Sequence, residues 1–551
     1  MWNRCAIGDT CPVAVRSKNP HGQYFTPAAV AELMIGLLKA GSDEPILEPC
    51  AGAGVFLDRL AASGYRNVTA FEIDPKLVDV SPHAVRNESF VAATGGGQFA
   101  AVIGNPPYIR WRDLSEASRS EVQRHRLWGT LFNSLSDYLT VFIASAVEQL
   151  RGGGELVFIT PSFWMHTQHS QLLRQWLLER GTVTDVVSFG EAAVFPDVAS
   201  AIVIFRFVKG AAGDLPSQQL PSQQLLSAQA SGGIRFARYL GPRRVPEQDL
   251  QLDDPQLFQV DVIPGFRGSA HWTLATTEQQ ADVDDFESWC ATGGSRTPAR
   301  LGDLVDIANG MVSGLDRAFR LSVQELAELG PTERAATLSV VKAADLKRGW
   351  ADVTRSYLRI PIGLTEAQVV RDYPVFHRRL GQFREQLDAR YAYGRDLPWW
   401  EWAFPRSQAF FNNGVRKAVV PCKERLTSRP YVRFALAPAG AVTTQDVTAF
   451  APKTDTRESL EYLVAFLTLP QVSDWIRVRG LMKGGVAEFS ERPLAAIPVR
   501  LIDWDDPSEV RLHDRVSELM SCAAGMRPTE ENLLHEVHAL FQALKGSRQV
   551  R

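Results

Sequence analysis

The chain has 551 residues, of which 45% are hydrophobic and 22% charged, and a net charge of −3. That length exceeds a single core, so two or three domains are expected, and the small net charge by itself predicts no polyanionic partner. No apolar run approaches the roughly 18 residues of a membrane span and no apolar leader opens the sequence, which points to a cytoplasmic protein. The six cysteines, Cys5, Cys11, Cys50, Cys290, Cys422 and Cys522, include no C-x-x-C pair. Reduced, mostly packing thiols are therefore expected, with no metal site.

Over residues 1–210, short apolar runs alternate with amphipathic stretches. "PILEPCAG", "NVTAFEID", "FAAVIGNP", "GELVFIT", "VTDVVSFG" and "SAIVIFRFV" read as buried strands. "AAVAELMIGLLKA", "SDYLTVFIASAVEQL" and "SQLLRQWLLER" read as helices between them. This alternation predicts a doubly wound, Rossmann-like α/β sheet. In "LRGGGELVF" the glycines predict a helix stop before the next strand.

"ILEPCAGAGVFLDRL" (46–60) is a strand, a glycine turn and a helix. Gly52 and Gly54 allow the backbone to approach a ligand at the carboxyl end of the strand. Glu72 lies twenty positions after Gly52, at the end of the next strand. A carboxylate there accepts both hydroxyl protons of a ribose. A dinucleotide fingerprint would need a third glycine where Leu57 stands, and Glu48-Pro49 would repel a pyrophosphate. An acidic neighbour suits a cationic head such as an amino acid's ammonium, so ribose plus amino acid indicates S-adenosyl-L-methionine.

"VIGNPPY" (102–108) follows one strand later. Asn105 offers a side-chain carbonyl and Pro106 a backbone carbonyl, and the Pro106-Pro107 pair holds them rigidly. Two convergent acceptors fit one planar –NH2 group, and Tyr108 adds a face for stacking. An exocyclic amine is a poor nucleophile because its lone pair is delocalised. Accepting both hydrogens frees that pair by positioning and electrostatics alone.

These segments, with "QYFTP" (23–27) and "VFPDVASAIVIFRF" (194–207), resemble in order and content the TaqI-like, gamma-class DNA adenine-N6 methyltransferases. The resemblance covers about 210 residues. It implies that Thr26 meets the methionine end of the cofactor and that Glu48, Ala51 and Gly52 line its pocket. Glu72 with Ile73 would hold ribose and adenine, and Phe90 would pack on the adenine. Asn105 and Pro106 would bond the target N6, Tyr108 would stack on the flipped base, and Phe195 would close its other face. Ser89 departs from the family's Asp, which bonds the cofactor's adenine amine; a hydroxyl is a weaker acceptor, so either cofactor affinity is lower or Glu88 substitutes. An amine inside a duplex cannot reach a methyl donor, so double-stranded DNA with a flipped base is the expected substrate.

Residues 211–297 read as a linker and connecting segment, with the tandem "LPSQQLPSQQ" near its start. Residues 298–500 read as an α+β target-recognition domain and 501–551 as a C-terminal helical segment. From Arg371 to Arg433 thirteen Lys/Arg stand against six Asp/Glu, interleaved with twelve aromatics, which leaves −10 for the remainder of the chain. A basic, aromatic window in an acidic protein predicts a nucleic-acid face. Arg371, Arg378, Arg379, Arg416, Lys417, Lys423 and Arg425 are the candidate DNA contacts. Trp399, Trp400 and Trp402 are expected in the core, and Cys422, despite its Pro-Cys context, is expected to be structural.

Three rivals are kept. A protein glutamine amide or RNA is a possible acceptor of the methyl group, although the glutamine methyltransferases that share Asn-Pro-Pro-Tyr carry their extra domain N-terminally. A DNA-binding subunit with a decayed pocket is suggested only by Ser89. No stretch has room for a nuclease domain, so a restriction endonuclease would act as a separate protein, beside a monomeric methyltransferase that protects host DNA.

Overall fold

The computed structural model describes residues 24–92, 98–195, 201–211, 233–247, 250–266, 268–269, 271–293, 299–353, 355–391, 394, 396–427, 429–483, 485–526 and 530–548. The LPSQQ tandem, Cys5, Cys11, Gln23 and residues 196–200 lie outside these. The chain forms two compact units, residues 1–273 and 274–551.

The first unit is built on an eight-stranded sheet. Its strands are β1 (Ile46–Glu48), β2 (Val68–Ala70), β3 (Phe99–Gly104), β4 (Leu150–Pro161), β5 (Gly181–Gly190), β6 (Ile202–Lys209), β7 (Ile234–Tyr239) and β8 (Phe258–Ile263), in the spatial order β2-β1-β3-β4-β6-β5-β7-β8. The first four in that order run parallel, with Glu48 opposite Ala70 and Leu47 opposite Val102. Strand β6 is inserted antiparallel between β4 and β5. All three residues of β1 and all of β3 from Ala100 onward are buried, as an apolar run covered on both faces requires.

Helices α1 (Ala28–Ile35), α2 (Val55–Ala62), α3 (Pro75–Val80), α4 (Glu116–Arg124), α5 (Tyr138–Gln149) and α6 (Gln171–Leu178) fill the connections. Every residue of α5 from Tyr138 to Val147 is buried, matching its nearly continuous apolar sequence. Side-chain caps fix two helix starts: Asp74 accepts from the Lys76 amide at α3, and Ser115 accepts from the Ser118 amide at α4.

Two expectations are corrected here. The glycines after α5 do not themselves stop the helix: it ends at Gln149, ahead of them, and Leu150 to Gly154 already form the irregular start of β4. The segment 211–297 is not a linker throughout. Strand β7 pairs parallel with β5, Asp185 facing Arg235, and β8 pairs antiparallel with β7. The strands form because Ile234, Phe236, Ala237, Tyr239, Phe258 and Ile263 bury their side chains, and Ala237, Tyr239 and Phe258 join the same core as β1, β3 and β4. Helix Thr277–Ala291 belongs to the second unit, opened by a capping box between Thr276 and Gln279.

The second unit mixes helices with a five-stranded sheet in the order Val305–Asn309, Val447–Pro452, Ala418–Pro421, Ala435–Leu436, Gly349–Trp350. The terminal helices Pro507–Met526 and Glu530–Arg548 are not a separate segment. Val516, Met520, Leu533, Val537 and Phe541 join the core that holds Leu301, Phe450 and Phe466. Among the described residues, no helix is long and apolar enough to cross a membrane.

Candidate active site

Because β2, β1 and β3 are adjacent and parallel, the residues that follow them emerge side by side on one edge of the sheet. A cavity opens there. Tyr24, Phe25, Thr26, Cys50, Ala51, Gly52, Glu72, Ile73, Glu88, Ser89, Phe90, Asn105, Pro107, Ser118, Tyr138 and Phe142 are among its lining residues. Nine of the residues selected from sequence therefore converge on one space, although they come from five separate stretches of chain.

The turn after β1 needs its glycines, since Gly52 has φ +55° and Gly54, which precedes α2, has φ +84°. Glu72 fastens this turn to its own strand: its carboxylate accepts from the Gly52 amide at 2.8 Å and from the Asp74 amide at 2.9 Å. A carboxylate has about four lone-pair positions, so two remain for a diol. Asn87, which sequence reasoning missed, donates to the carbonyl of Glu72 at 3.0 Å and braces the same corner.

Glu48 ends β1 with its carboxylate buried, and neither oxygen has a hydrogen-bond partner. Burial, then the nearby charges of Glu72 and Asp58, push its carboxyl well above the usual carboxylate range. Glu48 does not itself line the cavity, although Pro49, next in the chain, does, and an unpartnered buried acid calls for a cationic group. The residues present thus fit S-adenosylmethionine: Glu48 for its charged end, Glu72 for the ribose, and Phe90, which packs against Phe71 and Phe142, for the flat base.

Asn105 is held from three sides. Its amide group donates to the Tyr24 carbonyl at 2.8 Å and to the Thr26 hydroxyl at 3.1 Å. Its backbone carbonyl accepts from the Cys50 thiol at 3.1 Å. These bonds point Oδ1 the other way, and there it accepts from the Tyr108 hydroxyl, whose single hydrogen is shared with the Ile159 carbonyl at 3.0 Å. The Tyr108 ring is turned inward to make these bonds. It stacks on Tyr24 at a centroid distance of 5.6 Å, with Phe195 6.0 Å from Tyr24 and 6.4 Å from Tyr108. Tyr24, Tyr108 and Phe195 make an aromatic cluster behind the asparagine, and Phe195 belongs to the main core. Burial raises the Tyr108 phenol well above its ordinary value, so it stays a donor. Tyr24 and Cys50 went unselected although both sit inside recognised segments.

Ser89 and Glu88 both line the cavity. The Ser89 hydroxyl donates to the carboxylate of Glu121 on α4.

The basic window of the second unit is less exposed than its charge count implies. Lys417 is 4% exposed and donates to the Val415 carbonyl at 2.6 Å and to Asn413 at 3.0 Å, so it is a structural cation and not a phosphate contact. Arg379 donates to the carbonyls of Arg317 and Ala318. Arg371 pairs with Asp372, Arg378 with Glu328 and Arg416 with Glu461. Lys423 and Arg425 face outward from one strand, on either side of the buried Glu424. Trp399, Trp400 and Trp402 are buried, and the Cys422 sulfur sits 3.1 Å from the Thr448 hydroxyl. Among the described residues no group of three or more His, Cys, Asp and Glu side chains is placed to hold a metal ion.

Sheet order, glycine turn and acid-rich cavity define the class: an S-adenosylmethionine-dependent methyltransferase. The family described as N-6 DNA Methylase matches residues 12–70, and the Eco57I restriction-modification methylase family matches residues 64–195. Type II methyltransferase M.HindII of Haemophilus influenzae is 34% identical over 532 residues, which is 95% of this chain and 97% of the relative. M.HincII of the same species is 33% identical with the same coverage. M.TthHB8I of Thermus thermophilus is 34% identical over 203 residues, 35% of this chain and 46% of that one. The solved structure of the type IIL restriction-modification enzyme MmeI in complex with DNA shares the fold, with a TM-score of 0.58 over 94% of this chain and 72% of that one at 11% identity. The chain belongs to the type II DNA methyltransferases of restriction-modification systems, and S-adenosylmethionine is its cofactor.

Proposed function

We propose that this protein methylates N6 of an adenine flipped out of double-stranded DNA at one specific sequence. One copy of the chain would modify one strand per visit. The product protects host DNA from a separately acting restriction endonuclease. The observation that carries this reading is the sharing of one cavity by Asn105 and Pro107 with Gly52 and Glu72. An amine held at the Asn-Pro-Pro turn would face a cofactor held by Gly52 and Glu72.

When bound, S-adenosylmethionine supplies an electrophilic methyl group on a sulfonium. The chain's own task is to present the nucleophile. Oδ1 of Asn105 and the Pro106 carbonyl accept the two amine hydrogens, draw the nitrogen lone pair out of conjugation and aim it into the cavity. For this, Oδ1 must exchange its bond from the Tyr108 hydroxyl to the incoming amine. Tyr108 then becomes free to stack on the base, with Phe195 behind it. Outward-facing cations of the second unit, Lys423 and Arg425 foremost, would meet the DNA backbone.

The test is methyl transfer from labelled S-adenosylmethionine to duplex DNA of high sequence diversity, followed by mapping of the modified bases. N6-methyladenine within one short motif, abolished by Asn105→Ala, is the expected result. Label on RNA or protein instead, with none on DNA, would refute the reading.

A further inference from the structure

Where the family places an Asp against the cofactor's adenine amine, this chain has Ser89, and a lone serine is an ambiguous partner. A hydroxyl has one hydrogen and two lone pairs, so it can face a ligand as donor or as acceptor. The structure removes that ambiguity. The Ser89 hydrogen is committed to the carboxylate of Glu121, 32 residues further along the chain. Toward the cavity Ser89 therefore offers lone pairs only, as an aspartate would, and the attached charge polarises them.

Glu121 is well placed for this. It lies on α4, three residues after Ser118, so the two share a helix face, and Ser118 lines the same cavity as Ser89. Tyr138 also lines it. Burial and the Glu121 charge keep the Tyr138 phenol protonated, so no second anion faces the ligand from that side. Glu88 lines the cavity too, but its side chain is exposed and water competes for it.

We propose that Ser89 and Glu121 together replace the missing aspartate: Ser89 accepts the hydrogen bond of the cofactor's adenine amine, and Glu121 is the positioning residue that holds the serine in acceptor polarity. The inference rests on Phe90 and Ser89 marking the adenine end of the cofactor cavity. It assigns cofactor discrimination to a residue outside the recognised motifs.

The test compares two ligands on the full chain by titration calorimetry. S-adenosylhomocysteine carries a donating amine at the purine 6-position, and S-inosylhomocysteine carries an accepting carbonyl. The unmodified protein should prefer the adenosyl compound by about tenfold or more, the worth of one hydrogen bond made against one opposed. In Glu121→Gln the amide can donate to the serine oxygen and turn the hydroxyl hydrogen toward the ligand. The preference should then shrink by about fivefold or more. Ser89→Ala should lose it, and the double variant Ser89→Asp/Glu121→Gln should regain it. A merely structural Glu121 would weaken both ligands equally and leave their ratio unchanged, which would overturn the proposal. So would a preserved preference in Ser89→Ala. Binding of neither ligand by the unmodified protein would overturn the cofactor assignment, and the proposal with it.

Discussion

The Tyr108 hydroxyl donates its hydrogen bond to Oδ1 of Asn105, the same atom that an adenine amine would use. In this arrangement the proposed acceptor is closed by a residue of its own motif, and the tyrosine proposed to stack on the base is instead packed on Tyr24. Base entry and tyrosine release are then one exchange. Tyr108→Phe keeps the ring and deletes the bond, so methyl transfer to DNA should stay within about threefold of the unmodified rate, because the lost bond is not one made in the transition state. Tyr108→Ala loses the stacking face, and kcat/KM should fall by about a hundredfold or more through lost orientation. Single-turnover transfer from labelled cofactor measures both. Equal losses in the two variants would sink the exchange.

Glu48 gives a prediction in pH. Its carboxyl titrates well above the ordinary carboxylate value because it is buried and lies near Glu72 and Asp58. A raised folded-state value means that folding favours the protonated acid. Its contribution to stability is full below the ordinary value and is lost as pH rises through the raised one. A bound ammonium reverses the preference, so cofactor binding should release a proton, and affinity should rise with pH across that window. Calorimetry in buffers of different ionisation enthalpy should detect the released proton. Glu48→Gln should abolish it, weaken the cofactor and make the free protein more stable at alkaline pH. Unchanged proton release in that variant would remove Glu48 from the cofactor's charged end.

The parts of this site legible in the sequence are those fixed by local chemistry. Glu48, Gly52, Glu72 and Asn105 stand at strand ends beside turn glycines or prolines, so their neighbourhood in the chain nearly determines their neighbourhood in space. Glu121 had no such signal, because it reaches Ser89 from a polar helix 32 positions away. Strands β7 and β8 were hidden by the Ser/Gln-rich stretch before them, and β5, the strand that ties β7 to the sheet, is remote in sequence. Charge counting failed at Lys417 for another reason: composition does not distinguish a cation facing solvent from one donating to the chain's own carbonyls.

Arg500 and Glu509 show why the last fifty residues belong to the second unit. The two side chains are 0% and 2% exposed and paired at 2.8 Å, with Glu509 on the helix Pro507–Met526. Removing one partner leaves a buried charge uncompensated, which costs about 3–5 kcal/mol. Glu509→Ala should therefore lower the denaturant midpoint of the second unit strongly, whereas Glu518→Ala, whose salt bridge to Arg515 is exposed, should change it by less than about 1 kcal/mol. Similar losses from the two would mean that the buried pair has no special weight.

The basic residues of the second unit can be sorted by salt. Lys423 and Arg425 face outward on one strand, whereas Lys417 is buried, with burial lowering its pKa, and donates to Val415 and Asn413. A cation that neutralises a phosphate contributes about 0.9 to the slope of log affinity against log salt. Lys423→Ala and Arg425→Ala should each weaken DNA binding alike across sequences and reduce that slope by about one. Lys417→Ala should leave the slope unchanged and lower Tm by a few degrees, about 2–4 °C for each kcal/mol lost in a unit of this size. Filter binding across a salt series, with a thermal melt of each variant, separates the two roles. A slope unchanged by Lys423→Ala and Arg425→Ala would move the DNA contact to another face of the unit.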